Sequence, residues 1–324
     1  MKKLRVLYHD NCFDGVSSAA VFSCFYKRHV DPDAAIEYEG LTHKAGQLIG
    51  EELFGDSENV IVDFKYSASQ RLTWWFDHHE SAFLSPQDEA HFRQDKSGLK
   101  FHDPGYKSCT KFIAYITEKV FSVQMPDLEE LIYWADIIDG AQFPDARTAV
   151  ELKAPALKLM LVIEASHQRE FIHKIIQDLQ HRTLAQVVDD PAVKSRFDVL
   201  YAHHTESIEI MRKEAKCIGG VIEFDVSAYD LDGYNKFIPY YLFPESVYCV
   251  GVSRSSVRSK VSVGTNPWSK RPRQHNLAKL CEKYGGGGHS VVAAISFKPD
   301  AIDSARAAAR EISGKLQADL KASQ

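Results

Sequence analysis

The hydrophobic and polar positions fall into two regimes along the chain. The first begins with the apolar run Leu4 to Tyr8, which predicts a short buried strand. Val16 to Arg28 predicts a helix with the small residues Ser17, Ser18, Ala19 and Ala20 in its first turn. Ala35 to Tyr38, Asn59 to Val62 and Thr73 to Phe76 read as further strands, and Lys44 to Leu53 reads as a helix. Ala82 to Tyr106 is polar, and an irregular loop or lid is expected there. Ser108 to Val120, Asp127 to Ile138 and Ala149 to Arg182 carry helical periodicity, and Pro191 to Lys216 predicts a long charged helix. His203 and His204 lie inside that helix. Adjacent positions do not share a helix face, so a solvated surface is expected for the pair.

Beyond Ile218 the pattern changes to strands, at residues 220–224, 247–252, 260–264 and 291–295, closed by a helix from Asp300 to Leu320. Alternating strands and helices followed by this shift predict an α/β fold. Its first part is a parallel-sheet domain over 1–186 with helices on both faces. A helical connector over 187–216 and a smaller α+β domain over 217–324 follow.

Composition narrows the function classes. The 324 residues are long enough for two cores, and 44% hydrophobic with 26% charged residues is ordinary for a globular chain. No apolar run reaches membrane-spanning length, and the N-terminal apolar stretch is short for a signal peptide. The six cysteines are scattered without a CxxC pair. That disfavours a disulfide framework or a zinc knuckle, including a zinc deaminase, and points to a cytoplasmic protein. The formal charge of −5 argues against coating long duplex nucleic acid.

Candidate chemistry collects at the ends of the first strands. The first strand runs into His9-Asp10-Asn11-Cys12-Phe13-Asp14-Gly15, a polar turn opening a helix. Sites in open α/β sheets lie at carboxyl ends of strands; the ordinary alternative is a capped Asx turn. Asp63 follows a continuous β-branched run, and Asp77-His78-His79 follows the strand at Thr73 to Phe76. Asp136 and Asp139 lie one turn apart at a helix C-terminus, where acids oppose the macrodipole unless something compensates. A metal ion would; the alternative is a pair of solvated acids. In the second half, Gly285-Gly286-Gly287-Gly288-His289 suggests close backbone approach to a ligand, with N–H groups forming an anion nest. The alternative is a flexible linker. The basic loop Ser269 to His275 precedes it.

In this order the motifs resemble the DHH phosphoesterase superfamily in its form with a C-terminal DHHA1 domain, over nearly the whole chain. The resemblance implies two lobes with a cleft between them and a dinuclear metal site, usually manganese, with Mg2+ or Co2+ as substitutes. It implies that His9, Asp14, Asp63, His78 and Asp139 bind metal, with Asp63 bridging. Asp77 would be a ligand or orient a histidine, and His79 would face the phosphate. Gly285, Gly286, Gly287, Gly288 and His289 would hold substrate. Two departures stand out. Cys12 occupies the slot of a first-motif Asp, for which Asn11 or Asp10 could stand in, and Asp136 is a further candidate ligand. The Arg expected on the strand before the glycines is missing, for which Arg254, Arg258 or Arg271 could substitute.

The implied reaction is phosphoester hydrolysis by hydroxide activated between two divalent ions. The expected substrate is a short oligonucleotide or small nucleotide such as a 3′,5′-bisphosphate. Cyclic-dinucleotide cleavage and pyrophosphate or polyphosphate hydrolysis are alternatives within the same chemistry. A catalytically degenerate nucleotide-binding sensor is the alternative of another class, and a homodimer is possible in either case.

Overall fold

The structure, a computed structural model, describes residues 2–42, 49–229, 231 and 233–322. They form two compact units, Met1–Phe143 with Leu152–Asp198, and Pro144–Glu151 with Val199–Gln324. The first unit opens with β1 (Lys3–His9), α1 (Phe13–His29), β2 (Ala35–Leu41), β3 (Glu58–Val62) and β4 (Trp74–Asp77). It continues through α2 (Pro86–Gln94), β5 (Lys100–His102), α3 (Cys109–Lys119) and α4 (Glu129–Asp139). After α5 (Ala146–Glu151), which belongs to the second unit, it closes with α6 (Pro155–Glu164), α7 (Arg169–Asp178) and α8 (Leu184–Val188). The helix predicted from Lys44 lies up to residue 48 outside the described residues, and Glu51–Leu53 form one 3-10 turn.

The sheet of this unit has the order β2-β1-β3-β4-β5 and is parallel throughout. Its inner strands β1, β3 and β4 are largely buried on both faces, which explains why they read as continuous apolar runs, while the edge strands β2 and β5 are more exposed. In β4 the side chains alternate. Trp74 and Phe76 pack on Phe22 of α1, while Trp75 packs on Tyr66, Phe83 and Phe92 across the sheet. Helix α1 is buried from Phe13 to Tyr26 and packs against α3, α4, α6 and α7 as well as β1. Its small residues permit that crowding.

The region read as an irregular loop is structured. Ser85 caps α2 by accepting the Asp88 N–H at 3.2 Å, with Pro86 at the first helical position. Beyond it, β5 adds an edge strand too short for periodicity to register. Helix α1 also begins at Phe13 rather than Val16, so Asp14 and Gly15 belong to its first turn.

Helix α9 (Pro191–Glu214) begins in the first unit and ends in the second. Of its histidine pair, His203 is exposed, but His204 is buried with its Nε2 2.7 Å from the Val150 carbonyl oxygen. The expectation of two solvated histidines therefore fails for His204, because the neighbouring face of α9 packs on α5.

The second unit continues with β6 (Lys216–Ile218), β7 (Val221–Asp225), α10 (Ile238–Leu242), β8 (Tyr248–Arg254) and β9 (Ser259–Thr265). It ends with α11 (Leu277–Glu282), β10 (Gly287–Gly288), β11 (Val292–Phe297) and α12 (Ile302–Ala322). Its mixed sheet has the order β10-β11-β9-β8-β7-β6. Ala305, Ala308, Ile312, Leu316 and Leu320 of α12 pack on Val221, Val250, Val261, Val263 and Ile295.

A close backbone approach in the first unit joins α1 to the end of β1. A Cβ on Gly15 would lie 2.1 Å from the His9 carbonyl oxygen and 2.8 Å from its Cβ. Gly15→Ala must push His9 away. The expected result is a loss of about 1–3 kcal/mol in denaturant unfolding, the usual cost of overpacking. Weaker divalent-cation binding by calorimetry should accompany it. Unchanged stability would show that the two elements separate freely.

Candidate metal centre

The chain order 2-1-3-4-5 places a topological switch between β1 and β3, where ligand crevices form outside the carboxyl ends of strands. His9 ends β1 on one side of it, and Asp63 follows β3 on the other. The backbone turns left-handed at Asp63 (φ 56°) and at Asn11 (φ 55°). Asp and Asn tolerate that conformation better than most residues, but it still carries strain. At Asp63 the turn comes directly after the strand and is held by its N–H donating to the Phe76 carbonyl at 2.9 Å.

Asp14 reaches the same region from α1. Its carboxylate accepts the backbone N–H groups of Cys109 (2.7 Å) and Thr110 (3.1 Å). The first turn of α3 therefore receives an anion, and the anion is a side chain of this protein. Ser108 caps the same helix, accepting the Lys111 N–H at 3.2 Å.

His78 is central. Its Nδ1 lies 3.2 Å from the Tyr106 carbonyl oxygen, so the ring donates there and turns Nε2 inward. That nitrogen is 3.3 Å from Asp63 Oδ1, 3.4 Å from Asp139 Oδ2 and 3.9 Å from Asp14 Oδ2. One ring nitrogen carries at most one proton and cannot satisfy three carboxylates. Asp63 Oδ1, Asp77 Oδ2 and His78 Nε2 are buried without a hydrogen-bond partner of acceptable geometry.

The charge pattern follows from this crowding. Burial and the nearby Asp63 and Asp139 push Asp14 well above the usual carboxylate range, against the pull of His78 and Thr110. Burial and Asp63 raise Asp139 to about 6. Burial also acts on Asp63, but the imidazole of His78 beside it and the hydrogen bond with His9 outweigh it and hold that carboxyl low. Burial opposes protonation of His78, yet Asp63, Asp14 and Asp139 hold its pKa up at about 10.

These orphaned buried atoms, with oxygen and imidazole donors converging, fit divalent cations of the Mn2+ and Mg2+ kind. His9, Cys12 and Asp63 form one group whose donor atoms lie within 4.8 Å of one another, and Asp14, His78 and Asp139 form another. His79 also lies close to Asp63 and His78. However, its Nδ1 donates to Asp77 Oδ1 at 2.7 Å, which occupies that nitrogen. The same Asp77 oxygen accepts the N–H groups of His78 (2.9 Å) and His79 (3.3 Å). Asp77 therefore holds both histidines in place, and it raises the His79 pKa chiefly through this hydrogen bond.

Other candidates turn elsewhere. Asn11 donates to the Ser166 carbonyl at 2.5 Å. Asp10 accepts the Asn11 N–H at 2.9 Å and packs against Gly40. Asp136 pairs with Lys111 Nζ at 2.5 Å. In the second unit, Gly285 and Gly286 donate their N–H groups to the Glu282 and Cys281 carbonyls at 3.0 Å each and His289 donates to the Val292 carbonyl at 2.7 Å, which engages three of the five N–H groups of the expected nest. A Cβ at Gly286 would lie 2.5 Å from the Ala294 oxygen, and one at Gly288 2.5 Å from the Val292 oxygen. Strand pairing therefore requires these two glycines. Gly287 faces open space and His289 is exposed.

The arginines named from sequence do not gather at the glycines. Arg271 donates to the Leu320 carbonyl at 3.2 Å. Arg258 bonds Ser296, three residues along β11 from the Gly288–Ala293 pair, or about 10 Å. Arg254 and Arg258 flank the β8–β9 turn at that same end. The arginine beside the glycines is Arg273, which donates to the Ser290 carbonyl at 2.7 Å. The basic loop pointed to the segment but not to this residue.

No protein-family model and no curated protein matches the chain. Solved structures do. The pGpG-specific phosphodiesterase PggH from Vibrio cholerae is similar at a TM-score of 0.71 and 18% identity, with 99% of each chain covered. The DHH domain of PF0399, described as a member of the s1p family of ribosomal proteins, aligns at 0.54 and 15% identity, covering 96% of this chain and 86% of that one. RecJ from Thermus thermophilus, in complex with Mn2+, aligns at 0.53 and 15% identity; 97% of this chain matches 52% of that protein. These likenesses show that the chain has the fold of DHH proteins.

Because His78 is held protonated near neutral pH without a cation, loading must displace that proton. A rise in pH removes the competitor, so cation affinity should increase from about pH 6 to 9. Calorimetry at pH 7 in buffers of different ionisation enthalpy should show net proton release. Equal heats in all buffers would contradict the arrangement around His78.

Proposed function

We propose that this chain is a metal-dependent phosphoesterase that hydrolyses phosphate esters of short oligonucleotides or small nucleotides. The observation that carries this reading is the meeting of His9, Asp14, Asp63, His78 and Asp139 at the carboxyl edge of a parallel sheet, with buried donor atoms left unpaired. His9, Asp14, Asp63, His78 and Asp139 would hold two divalent ions, Mn2+ in the first instance. Bound there, the ions would offset the acid charge and supply a water acidic enough to ionise near neutral pH.

The chain's own groups then have separable roles. Asp14 is held in place by two amides of α3. Asp63 holds His9 through the 3.2 Å contact of its Oδ2 with Nδ1. His79 is fixed by Asp77 through Nδ1, leaving Nε2 as the nitrogen that can donate to a phosphate oxygen. With its pKa raised by Asp77 it keeps a proton for charge developing on phosphate or leaving group.

The likeness to a pGpG phosphodiesterase over both full chains makes a linear dinucleotide the leading substrate class, ahead of 3′,5′-bisphosphates, cyclic dinucleotides and pyrophosphate. We assign the metal chemistry to residues 1–186, and nucleotide contacts to residues 217–324, through Gly287, His289 and Arg273. Residues 187–216 would be the connector.

A panel of pGpG, other dinucleotides, 3′,5′-bisphosphates, cyclic dinucleotides and pyrophosphate, assayed with Mn2+, tests the proposal. Asp63→Asn should abolish hydrolysis, lowering kcat by about 1,000-fold or more, while nucleotide binding persists. No turnover on any substrate, with binding intact, would instead indicate a nucleotide sensor. Asp77→Asn gives a finer test of His79. Removing the carboxylate lowers the imidazole pKa, so the alkaline limb of the kcat/KM profile should shift to lower pH. An unmoved limb would exclude His79 as the proton donor.

A further inference from the structure

Cys12 occupies the N-cap of α1, where Ser, Thr, Asp or Asn would accept a backbone N–H and contribute about 1 kcal/mol. Its side chain makes no capping hydrogen bond. Its Sγ instead faces His9 and Asp63, with the three donor atoms within 4.8 Å of one another. Asp63, 1% exposed, turns its Oδ2 to His9 at 3.2 Å and leaves its Oδ1, on the His78 side, without a hydrogen-bond partner. A neutral thiol here neither caps the helix nor answers that carboxylate. Burial and the nearby Asp63, Asp14 and Asp139 push the thiol well up, against the pull of the Gly15 N–H, so only a cation on the sulfur would balance both a thiolate and Asp63.

We propose that Cys12 is a thiolate ligand which, with His9 and Asp63, forms a sulfur–nitrogen–oxygen position for a borderline divalent ion such as Zn2+, Co2+ or Fe2+. The inference rests on the metal reading above and specifies it further. On coordination the thiol gives its proton to solvent, and a metal–sulfur bond forms with no change of oxidation state. The group of Asp14, His78 and Asp139 has no sulfur and suits harder ions such as Mn2+ or Mg2+. The two positions therefore differ in softness, and the protein should function with an unlike pair of metals.

The test is spectroscopic and uses the full chain stripped of metal by chelation, then titrated with Co2+. Visible ligand-field bands report bound cobalt, and a near-ultraviolet sulfur-to-cobalt charge-transfer band reports the thiolate. The native chain should show both. Cys12→Ser and Cys12→Asp should keep the visible bands and lose the ultraviolet band. In Zn2+/Mn2+ competition, Cys12→Asp should shift preference toward Mn2+ by about tenfold. X-ray absorption on the zinc-loaded native chain needs no variant and should show a sulfur scatterer at about 2.3 Å. Ligand-field bands without a charge-transfer band in the native chain would overturn the Cys12 assignment and leave the phosphoesterase reading standing. So would a band that survives in both variants, or zinc with nitrogen and oxygen neighbours alone. Failure to bind any cobalt would overturn both.

Discussion

Mutual repulsion among Asp14, Asp63 and Asp139 around one imidazole is the constraint on which the rest of the first unit depends. Carboxylate oxygens of Asp14 and Asp139 lie within 4.8 Å of each other beside His78 Nε2. At an effective dielectric near 20, two like charges at that distance repel by about 3.5 kcal/mol, more than two pKa units. A single protonated histidine relieves part of this. Burial and this repulsion together drive Asp14 and Asp139 up, while the three carboxylates hold His78 protonated against its own burial. Divalent cations resolve the conflict with charge that the protein lacks.

The fold holds these groups together against their repulsion. The parallel sheet brings β1, β3 and β4 side by side, so residues far apart in sequence share one edge. Left-handed backbone at Asp63 turns the chain as soon as β3 ends. Helix α3 anchors Asp14 with two amides, and the Tyr106 carbonyl sets the ring of His78. Gly15 lets α1 lie against the His9 backbone. Most of these supports are main-chain groups, which a change of side chain cannot remove.

The second unit shows how one residue type can serve two ends. Gly286 and Gly288 are small because Ala294 and Val292 oxygens approach them closely in the β10–β11 pairing. Gly285 and Gly287 both have open space at the Cβ position; Gly285 is explained by its φ of 73°, which leaves Gly287 as the glycine whose size is free to serve a ligand. A run of glycines therefore mixes structural need with binding potential, and only the contacts separate them.

Much of the architecture was legible in the sequence because strands buried on both faces leave continuous apolar runs and amphipathic helices leave a period. The acids and histidines that end β1, β3 and β4 could be placed for the same reason: a polar residue directly after a buried run must emerge at the strand's end. Helix α2 and strand β5 escaped notice because a polar nine-residue helix and a three-residue edge strand carry no periodic signal. His204 misled because burial there depends on α5, an element with no sequence proximity. The separation of Asp139 from Asp136, the withdrawal of Asn11 to Ser166 and the approach of Cys12 to His9 were decided by tertiary structure alone. Sequence determines which donors stand at the ends of which elements. Which donors meet is set by sheet order, helix docking and the direction of each side chain, and these arise from contacts between distant parts of the chain.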